Sequence, residues 1–192
     1  RRSAYLLPKV MAQFRPQYPN VDLSLCETGS ADMEQKLLEG SLDLILSNRF
    51  LQPEKLSFFP IYQDTLVAAL PFGHPACQKA VMLPGHTRPW LDLRELKEEF
   101  FILQYPHQST RLFTEQALRY SGVVPKKILY IQNMETAAQM AAEGVGAAFT
   151  MDSYAKHFTY EKPVYFFEVG DPDFSVQIAL AHRKEAHIPK YM

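Results

Sequence analysis

Three short polar segments each follow an apolar run and precede a pattern that is typical of an α-helix. They are Thr28 to Ser30, Tyr105 to Ser109 and Asn133 to Thr136. In open α/β sheets, ligands bind beyond the carboxyl ends of the strands, where the helices begin. Free backbone N–H groups and the positive end of the helix dipole favour a carboxylate or another anion at such places. We therefore expect these segments to contribute to an anion-binding site.

Several of the side chains have a structural interpretation beside the binding one. Ser3 and Ser109 suit a helix N-cap. His107 is either a surface residue or part of the site, and Arg49 is either solvated or paired with an anion in bidentate fashion. Glu135 either favours the start of a helix through its charge or accepts a hydrogen bond from a ligand. The candidate ligand-binding residues are Ser3, Thr28, Gly29, Ser30, Asn48, Arg49, Tyr105, His107, Gln108, Ser109, Asn133, Met134 and Glu135.

The sequence contains no motif that is typical of a catalytic or metal-binding site. G-x-S-x-G, H-E-x-x-H, C-x-x-C and the phosphate-binding loop are all absent from the printed sequence. His182 and His187 do not have the spacing of metal ligands. We therefore predict a protein that is not an enzyme and that uses neither a metal nor a cofactor.

Composition predicts a protein with an ordinary core and excludes some functions for this segment. The chain has 192 residues, 47% of them hydrophobic, which suffices for one large domain or two small lobes. A net charge of -1 argues against binding of nucleic acid by this segment alone. No stretch approaches the roughly 20 apolar residues that cross a bilayer. Cys26 and Cys77 are interpreted as reduced thiols in a cytoplasmic protein.

The stretch 21–46 predicts one βαβ unit. Alternating apolar residues in 21–25 predict a strand, and helical spacing in 30–39 predicts a helix. Gly40 should end that helix in a left-handed conformation, and the apolar run 43–46 should form the second strand. The crossover of such a unit is expected to be right-handed.

The rest of the chain predicts two α/β blocks. Further strands are expected at 56–61, 65–70, 100–103, 127–132, 145–150, 164–169 and 175–181, and helices at 4–14, 92–97, 109–121, 137–143 and 152–158, with another beginning near Ile188. Turn-rich segments at 71–77 and 170–173 mark two crossings between the blocks. The predicted lobes are therefore 1–70 with 171–192, and 71–170, with a cleft between them. A helix that opens an α/β lobe usually follows a strand, so we expect the chain to begin inside a longer protein.

Five motifs, in this order along the chain, carry a resemblance to a known family. They are YLLPKVMAQFRPQYPNVDLSL, LLEGSLDLIL, DTLVAALPFGHPA, LDLRELKEEFFIL and NMETAAQMAAEGVGAAF. Over nearly its whole length the chain resembles the effector-binding domain of LysR-type transcriptional regulators. It departs from the family in lacking a strand before Ser3 and in having Thr150-Met151 where a proline often follows GVGAAF.

The resemblance implies a fold, a ligand and partners. The fold would be α/β and two-lobed, of the type II periplasmic-binding-protein-like kind, with two Rossmann-like lobes joined by two crossover segments. A small effector, a carboxylate or another anion, would bind in the cleft, with Ser3 at a family effector position. The domain would form a homodimer, and a tetramer in the full-length protein. DNA would be bound only through an N-terminal winged helix-turn-helix outside this chain, with no membrane contact.

A second hypothesis is a free-standing solute-binding protein of a transporter, which would use the same two-lobed fold. Oligomeric state discriminates between the hypotheses, because a transport receptor is usually a monomer and a regulator domain should be a dimer. The apolar face of the first helix would be the dimer surface. An enzyme built on this fold would need a catalytic pair, which the sequence does not offer.

Overall fold

The computed structural model describes residues 3–48 and 50–186. The helices are α1 (Ser3–Gln17), α2 (Ser30–Glu39), α3 (Ser109–Tyr120), α4 (Met134–Ala142) and α5 (Asp152–His157). The strands are β1 (Ile45–Ser47), β2 (Leu56–Asp64), β3 (Leu66–Pro71), β4 (Phe100–Gln104), β5 (Lys127–Ile131), β6 (Ala147–Met151), β7 (Val164–Glu168) and β8 (Val176–Arg183). None of the helices in the described ranges is long and apolar enough to cross a membrane.

The chain forms two compact units whose boundaries fall inside strands. Unit 1 comprises Arg1–Tyr62 and Ile178–Met192, and unit 2 comprises Gln63–Gln177. These bounds differ from the predicted crossings in the turns at 71–77 and 170–173. The physical reason is that β3, placed before the first predicted crossing, pairs with both β6 and β7 inside unit 2.

Unit 1 is built around a three-stranded sheet in the order β1-β8-β2, in which β1 runs antiparallel to β8. Leu37 of α2 is fully buried against Ile45, Leu56 and Ala181. Gly40 ends α2 with φ 86°, which confirms the predicted left-handed end.

The predicted strand at 21–25 is wrong, and the βαβ unit with its right-handed crossover is wrong with it. Residues 21–29 form no strand, and Leu23 and Leu25 are 45% and 61% exposed. Alternation places the apolar side chains on one side, but a strand also needs a neighbour for its backbone hydrogen bonds. Within the described ranges this segment has no ladder partner.

The predicted first helix is confirmed as α1 and extends through Pro16 to Gln17. None of its residues is buried, and Val10 on its apolar face is 44% exposed. The other residues of that face, Tyr5, Leu6, Met11 and Phe14, are half-buried, so the described residues cover the face in part.

Unit 2 is built on a five-stranded mixed sheet in the order β5-β4-β6-β3-β7. β4 is parallel to β5 and β6, whereas β3 is antiparallel to β6 and β7. The small side chains of α4 allow this helix to lie directly against the sheet. The core between α4 and the sheet includes Ala137, Ala138, Ala141, Val67, Ala69, Ile102, Ala148 and Phe166.

Two further predictions differ from the structure in detail. The helix predicted over 92–97 is a 3-10 turn over Leu93–Leu96, begun by the Asp92 side chain, which accepts from the N–H of Arg94 at 2.9 Å. β2 continues to Asp64 instead of ending at residue 61. Asp64 then fixes the start of α5, because its carboxylate accepts from the Ser153 hydroxyl at 2.6 Å. The helix predicted near Ile188 lies outside the described residues.

Candidate functional site

Two of the predicted site segments meet at one edge of the unit 2 sheet. β4 and β5 are parallel neighbours, and Gln104 pairs with Ile131 at their carboxyl ends. α3 follows β4 and α4 follows β5, so both helices begin at this edge. The structure therefore brings the segments 105–109 and 133–135 together, as the parallel arrangement predicts.

One glutamine joins the two segments. The Gln108 side-chain carbonyl accepts from the backbone N–H of Tyr105 at 3.1 Å. Its side-chain amide donates to the backbone carbonyl of Gln132 at 2.9 Å. We call these two hydrogen bonds the Gln108 bridge. Each polar end of the side chain makes one hydrogen bond within the protein, so Gln108 positions the two segments relative to each other.

The two helix starts differ in how their N–H groups are satisfied. The Asn133 side chain caps α4, since its oxygen accepts from the N–H of Glu135 at 2.9 Å and of Thr136 at 3.3 Å. α3 has Gln108 as its N-cap residue, and that side chain makes no capping hydrogen bond. Ser109, predicted to be the cap, is the first helical residue, because the bend falls one residue earlier. The start of α3 is therefore the better place for an anion.

The remaining candidates of unit 2 lie around these helix starts. Tyr105 is 42% exposed, and its ring stacks on the exposed ring of His107. Met134 is the half-buried first residue of α4. Burial, and then the charge of Glu135, raises the pKa of the neighbouring Tyr160 to about 12.

Arg111 is a residue at this edge that sequence reasoning missed. It is 9% exposed, its Nη1 donates to the carbonyl of Gln104 at 3.2 Å, and its Nε donates to Glu115 at 2.9 Å. Its guanidinium lies 5.5 Å from the ring centre of Tyr130. The available signal was its place in the first turn of a helix that follows a buried strand.

Two buried polar side chains at the ends of β4 and β6 were also missed. Gln104 and Thr150 are both 0% exposed. The Gln104 amide donates to the carbonyl of Phe149 at 3.3 Å, but its side-chain oxygen has no partner among the described residues. The Thr150 hydroxyl likewise has none within that part of the chain. Thr150-Met151 is the place where the sequence departs from the resembled family.

In unit 1, the candidates cluster at the starts of α1 and α2. The hydroxyl of Ser3 donates to the carboxylate of Glu27, so it is already engaged. Lys36, and then the hydroxyl of Thr28, hold the pKa of Asp32 below its usual value. Gly29 is the N-cap of α2 and offers no side-chain cap.

Ser30 is the first residue of α2 and is half-buried. A Cβ built on Gly29 would meet nothing within 4 Å, so open space adjoins this helix start. As in α3, the first N–H groups of α2 lack intrahelical partners, and the N-cap residue Gly29 has no side chain to bond them.

A further candidate of unit 1, Asn48, directly follows β1. Both polar atoms of the Asn48 amide are buried without a partner among the described residues. Arg49 lies outside those residues. Sequence reasoning missed Glu34, which is 2% exposed and accepts from the N–H groups of Leu51 at 2.6 Å and Gln52 at 2.5 Å. Its position three residues before Leu37, on the buried face of α2, was the available signal.

The chain belongs to the family of LysR substrate binding domains. The family model matches residues 3–192, which is almost the whole chain. The resemblance inferred from the five sequence motifs is thereby confirmed.

Relatives of the chain are transcriptional regulators. It is 30% identical over 146 residues to the HTH-type transcriptional regulator CfxR of Cupriavidus necator, covering 75% of this chain and 43% of CfxR. It is 22% identical over 185 residues to the HTH-type transcriptional regulator AlsR of Bacillus subtilis, covering 95% of this chain and 58% of AlsR. The chain thus spans about half the length of these regulators.

Solved structures share the fold. The cofactor-binding domain of the Cbl transcriptional regulator matches with a TM-score of 0.79 at 19% identity, over 99% of this chain and 80% of that domain. The BenM effector binding domain with its effector benzoate matches with a TM-score of 0.75 at 22% identity, over 97% and 80%. The fold is therefore the predicted type II periplasmic-binding-like α/β fold.

The Gln108 bridge predicts the effect of a Gln108→Ala substitution. The variant loses two hydrogen bonds, so its free energy of unfolding should fall by about 1 kcal/mol, measured by urea denaturation. The amide of Tyr105 should also exchange its hydrogen faster. Gln116→Ala, at an exposed position of α3, is the control and should change neither quantity. Equal behaviour of the two variants would contradict the bridge.

The unpartnered hydroxyl of Thr150 predicts a gain of stability on its removal. Thr150→Val keeps the shape and removes a buried polar group, so the free energy of unfolding should rise by about 1 kcal/mol. Thr114→Val is the matched control, because Thr114 is equally buried but donates to the carbonyl of Thr110 at 3.2 Å. The control should lose about 1 kcal/mol. A loss at both positions would indicate that Thr150 has a partner, such as buried water.

Proposed function

We propose that this chain is the ligand-sensing part of a LysR-type transcriptional regulator and that it binds a small anion. Family membership carries the proposal, since the model of the family spans residues 3–192. The role is binding without catalysis. In the whole protein, binding would shift the oligomer between states that engage DNA differently, provided the ligand binds one state more tightly.

Ligands of structurally similar domains support a small-molecule effector. The BenM domain was solved with benzoate, and the QuiR domain was solved with shikimate. The regulatory domain of CcmR from Synechocystis PCC6803 was solved with 2-PG. We extend to this chain only the class of ligand, a small molecule.

The helix starts support an anion. The first N–H groups of α2 and α3 lack a side-chain cap from their N-cap residues, whereas Asn133 caps α4. Uncapped helix N-termini bind carboxylates and similar groups through their N–H groups and their dipole. We therefore propose that the helix start at Ser30 in unit 1 and the helix start at Ser109 in unit 2 each offer a position for an anionic group. Convergence of both units on one ligand stays a prediction of the sequence.

The proposal also covers partners and location. The apolar face of α1, which is only partly covered and on which Val10 is 44% exposed, supports a homodimer, because apolar faces of this kind are usually covered by a partner. We propose that the full-length protein is a cytoplasmic tetramer that contacts DNA through an N-terminal winged helix-turn-helix. The low net charge of the chain is consistent with DNA being contacted elsewhere in the protein.

A thermal-shift screen with small mono- and dicarboxylates tests this function. At least one of them should raise the melting temperature of the chain at millimolar concentration, because a ligand that binds only the folded state stabilises it. Ser30→Ala should then weaken that ligand about tenfold in calorimetry, the effect of losing one hydrogen bond to a charged group.

Ser57→Ala is the control for this experiment, since Ser57 is a half-buried serine in β2 of the same unit. It should leave the affinity unchanged. If no carboxylate stabilises the chain, the anion-sensing function is wrong. If Ser30→Ala binds as tightly as the unsubstituted chain, Ser30 is not part of the site.

A further inference from the structure

Residues 81–91, which we call the strap, lie beside the end of β7, an edge strand of the unit 2 sheet. The backbone of Glu168 accepts from the N–H of Leu91 at 2.9 Å and donates to the carbonyl of Pro89 at 3.0 Å. Trp90, between them, forms a single parallel bridge with Glu168. Because this pairing covers only one residue of β7, side chains must supply the rest of the attachment.

On one side, the strap is attached to the end of β7 and the turn that follows it. The indole N–H of Trp90 donates to the carbonyl of Gly170 at 2.9 Å. A hydrogen bond also joins Nδ1 of His86 to the carboxylate of Glu168, which is 9% exposed. Gly170 precedes β8, the strand within which the chain leaves unit 2. These contacts therefore hold the segment that leads out of unit 2.

On the other side, the strap is attached to the start of α5. Nε of Arg88 donates to the carboxylate of Asp152, the first residue of α5, which also pairs with Lys156. The side chain of Asp152 is 8% exposed, so water screens its pair with Arg88 less than it screens a surface pair. The guanidinium of Arg88 also lies 5.4 Å from the ring centre of Phe166. Arg88 therefore has a fixed position between α5 and β7.

The start of α5 is in turn bonded to the segment by which the chain enters unit 2. Asp64, the second residue of that unit, accepts from the hydroxyl of Ser153 at 2.6 Å and from its N–H at 3.0 Å. The N–H of Asp152 donates to the carbonyl of Thr65 at 2.9 Å. A continuous series of contacts thus runs from Asp64 through the start of α5 and the strap to Gly170.

We propose that the strap couples the two segments by which the chain enters and leaves unit 2, with Arg88 as the connecting side chain. Loosening the contacts of Asp64 then loosens the contacts of Gly170 as well. Coupling of this kind needs a contiguous network of bonded and packed groups, and the contacts of the strap provide one. The inference goes beyond the proposed function, because it concerns the chain with or without a ligand.

Trp90 is the single tryptophan of the chain, so hydrogen exchange of its indole N–H, followed by NMR, reports on the strap. Ser153→Ala removes the hydroxyl bonded to Asp64 and should speed this exchange about threefold, since groups in one network open together. Arg88→Met should speed the exchange about tenfold, because a hydrogen bond between charged groups is lost. In the double variant, the rate should equal that of Arg88→Met alone, because the strap is already disconnected from α5.

Arg94→Met is the matched control for Arg88→Met. Arg94 pairs with Asp92, directly after the strap, and its side chain is 72% exposed. This variant should leave the exchange of the Trp90 indole unchanged. If Arg88→Met fails to fold, Asp152→Asn takes its place, since it removes the charge that Arg88 contacts and keeps the shape of the side chain.

Three results would overturn the inference. The first is an unchanged exchange rate of the Trp90 indole in Ser153→Ala or in Arg88→Met. The second is an equal acceleration by Ser153→Ala with and without Arg88, because the effect would then reach the strap by another route. The third is an acceleration by Arg94→Met as large as that by Arg88→Met. Each of these leaves the anion-sensing function untouched, because no ligand takes part in the measurement.

Discussion

The side chain of Gln108 holds together the part of unit 2 on which the functional account depends. β4 and β5 are parallel, so their exits lie at one edge, but parallel pairing alone does not fix the loops beyond them. The Gln108 bridge adds that constraint by bonding the N–H of Tyr105 and the carbonyl of Gln132. As a result, the start of α3 keeps a defined position beside the start of α4.

In both units, the polar groups divide into those with a hydrogen-bond partner and those at helix starts that no side chain of the N-cap residue bonds. Asn133 uses its oxygen to cap α4, and Asp64 uses its carboxylate to fix the start of α5. These side chains hold the starts of α4 and α5 in place. The starts of α2 and α3 have no side-chain cap from their N-cap residues, and open positions of this kind are where a ligand gains most. The proposed binding of an anion depends on these uncapped N–H groups.

Sequence patterns were reliable where both periodicity and a stop signal were present. α2 with Gly40, and the succession β4, α3, β5, α4 with its polar exits, could be predicted because burial, caps and turns agree locally. The strand at 21–25 could not, since alternation describes one face of a strand and says nothing about a hydrogen-bonding neighbour. The unit boundaries also depend on pairing between distant strands, which the turn-rich segments do not encode.

In the candidate site too, some features could be predicted from the sequence and others could not. The exits 105–109 and 133–135 were predictable as neighbours from the parallel order, yet the particular roles were not. Gln108 and Asn133 were both candidates for ligand contact, and the structure uses their side chains for a bridge and a cap. Arg111 and Glu34 were missed, although their helix positions gave a signal, because the backbone groups that they bond are known only from the structure.

The central claim is that the uncapped start of α3 binds an anion while the capped start of α4 does not. Titration of the ¹⁵N-labelled chain with the carboxylate found by thermal shift, followed through backbone amide NMR shifts, tests it most directly. The account predicts that the amide signals of Ser109 and Thr110 move strongly, and that those of Glu135 and Thr136, already bonded to Asn133, move little. Large shifts at Glu135 and Thr136 with none at Ser109 and Thr110 would contradict it.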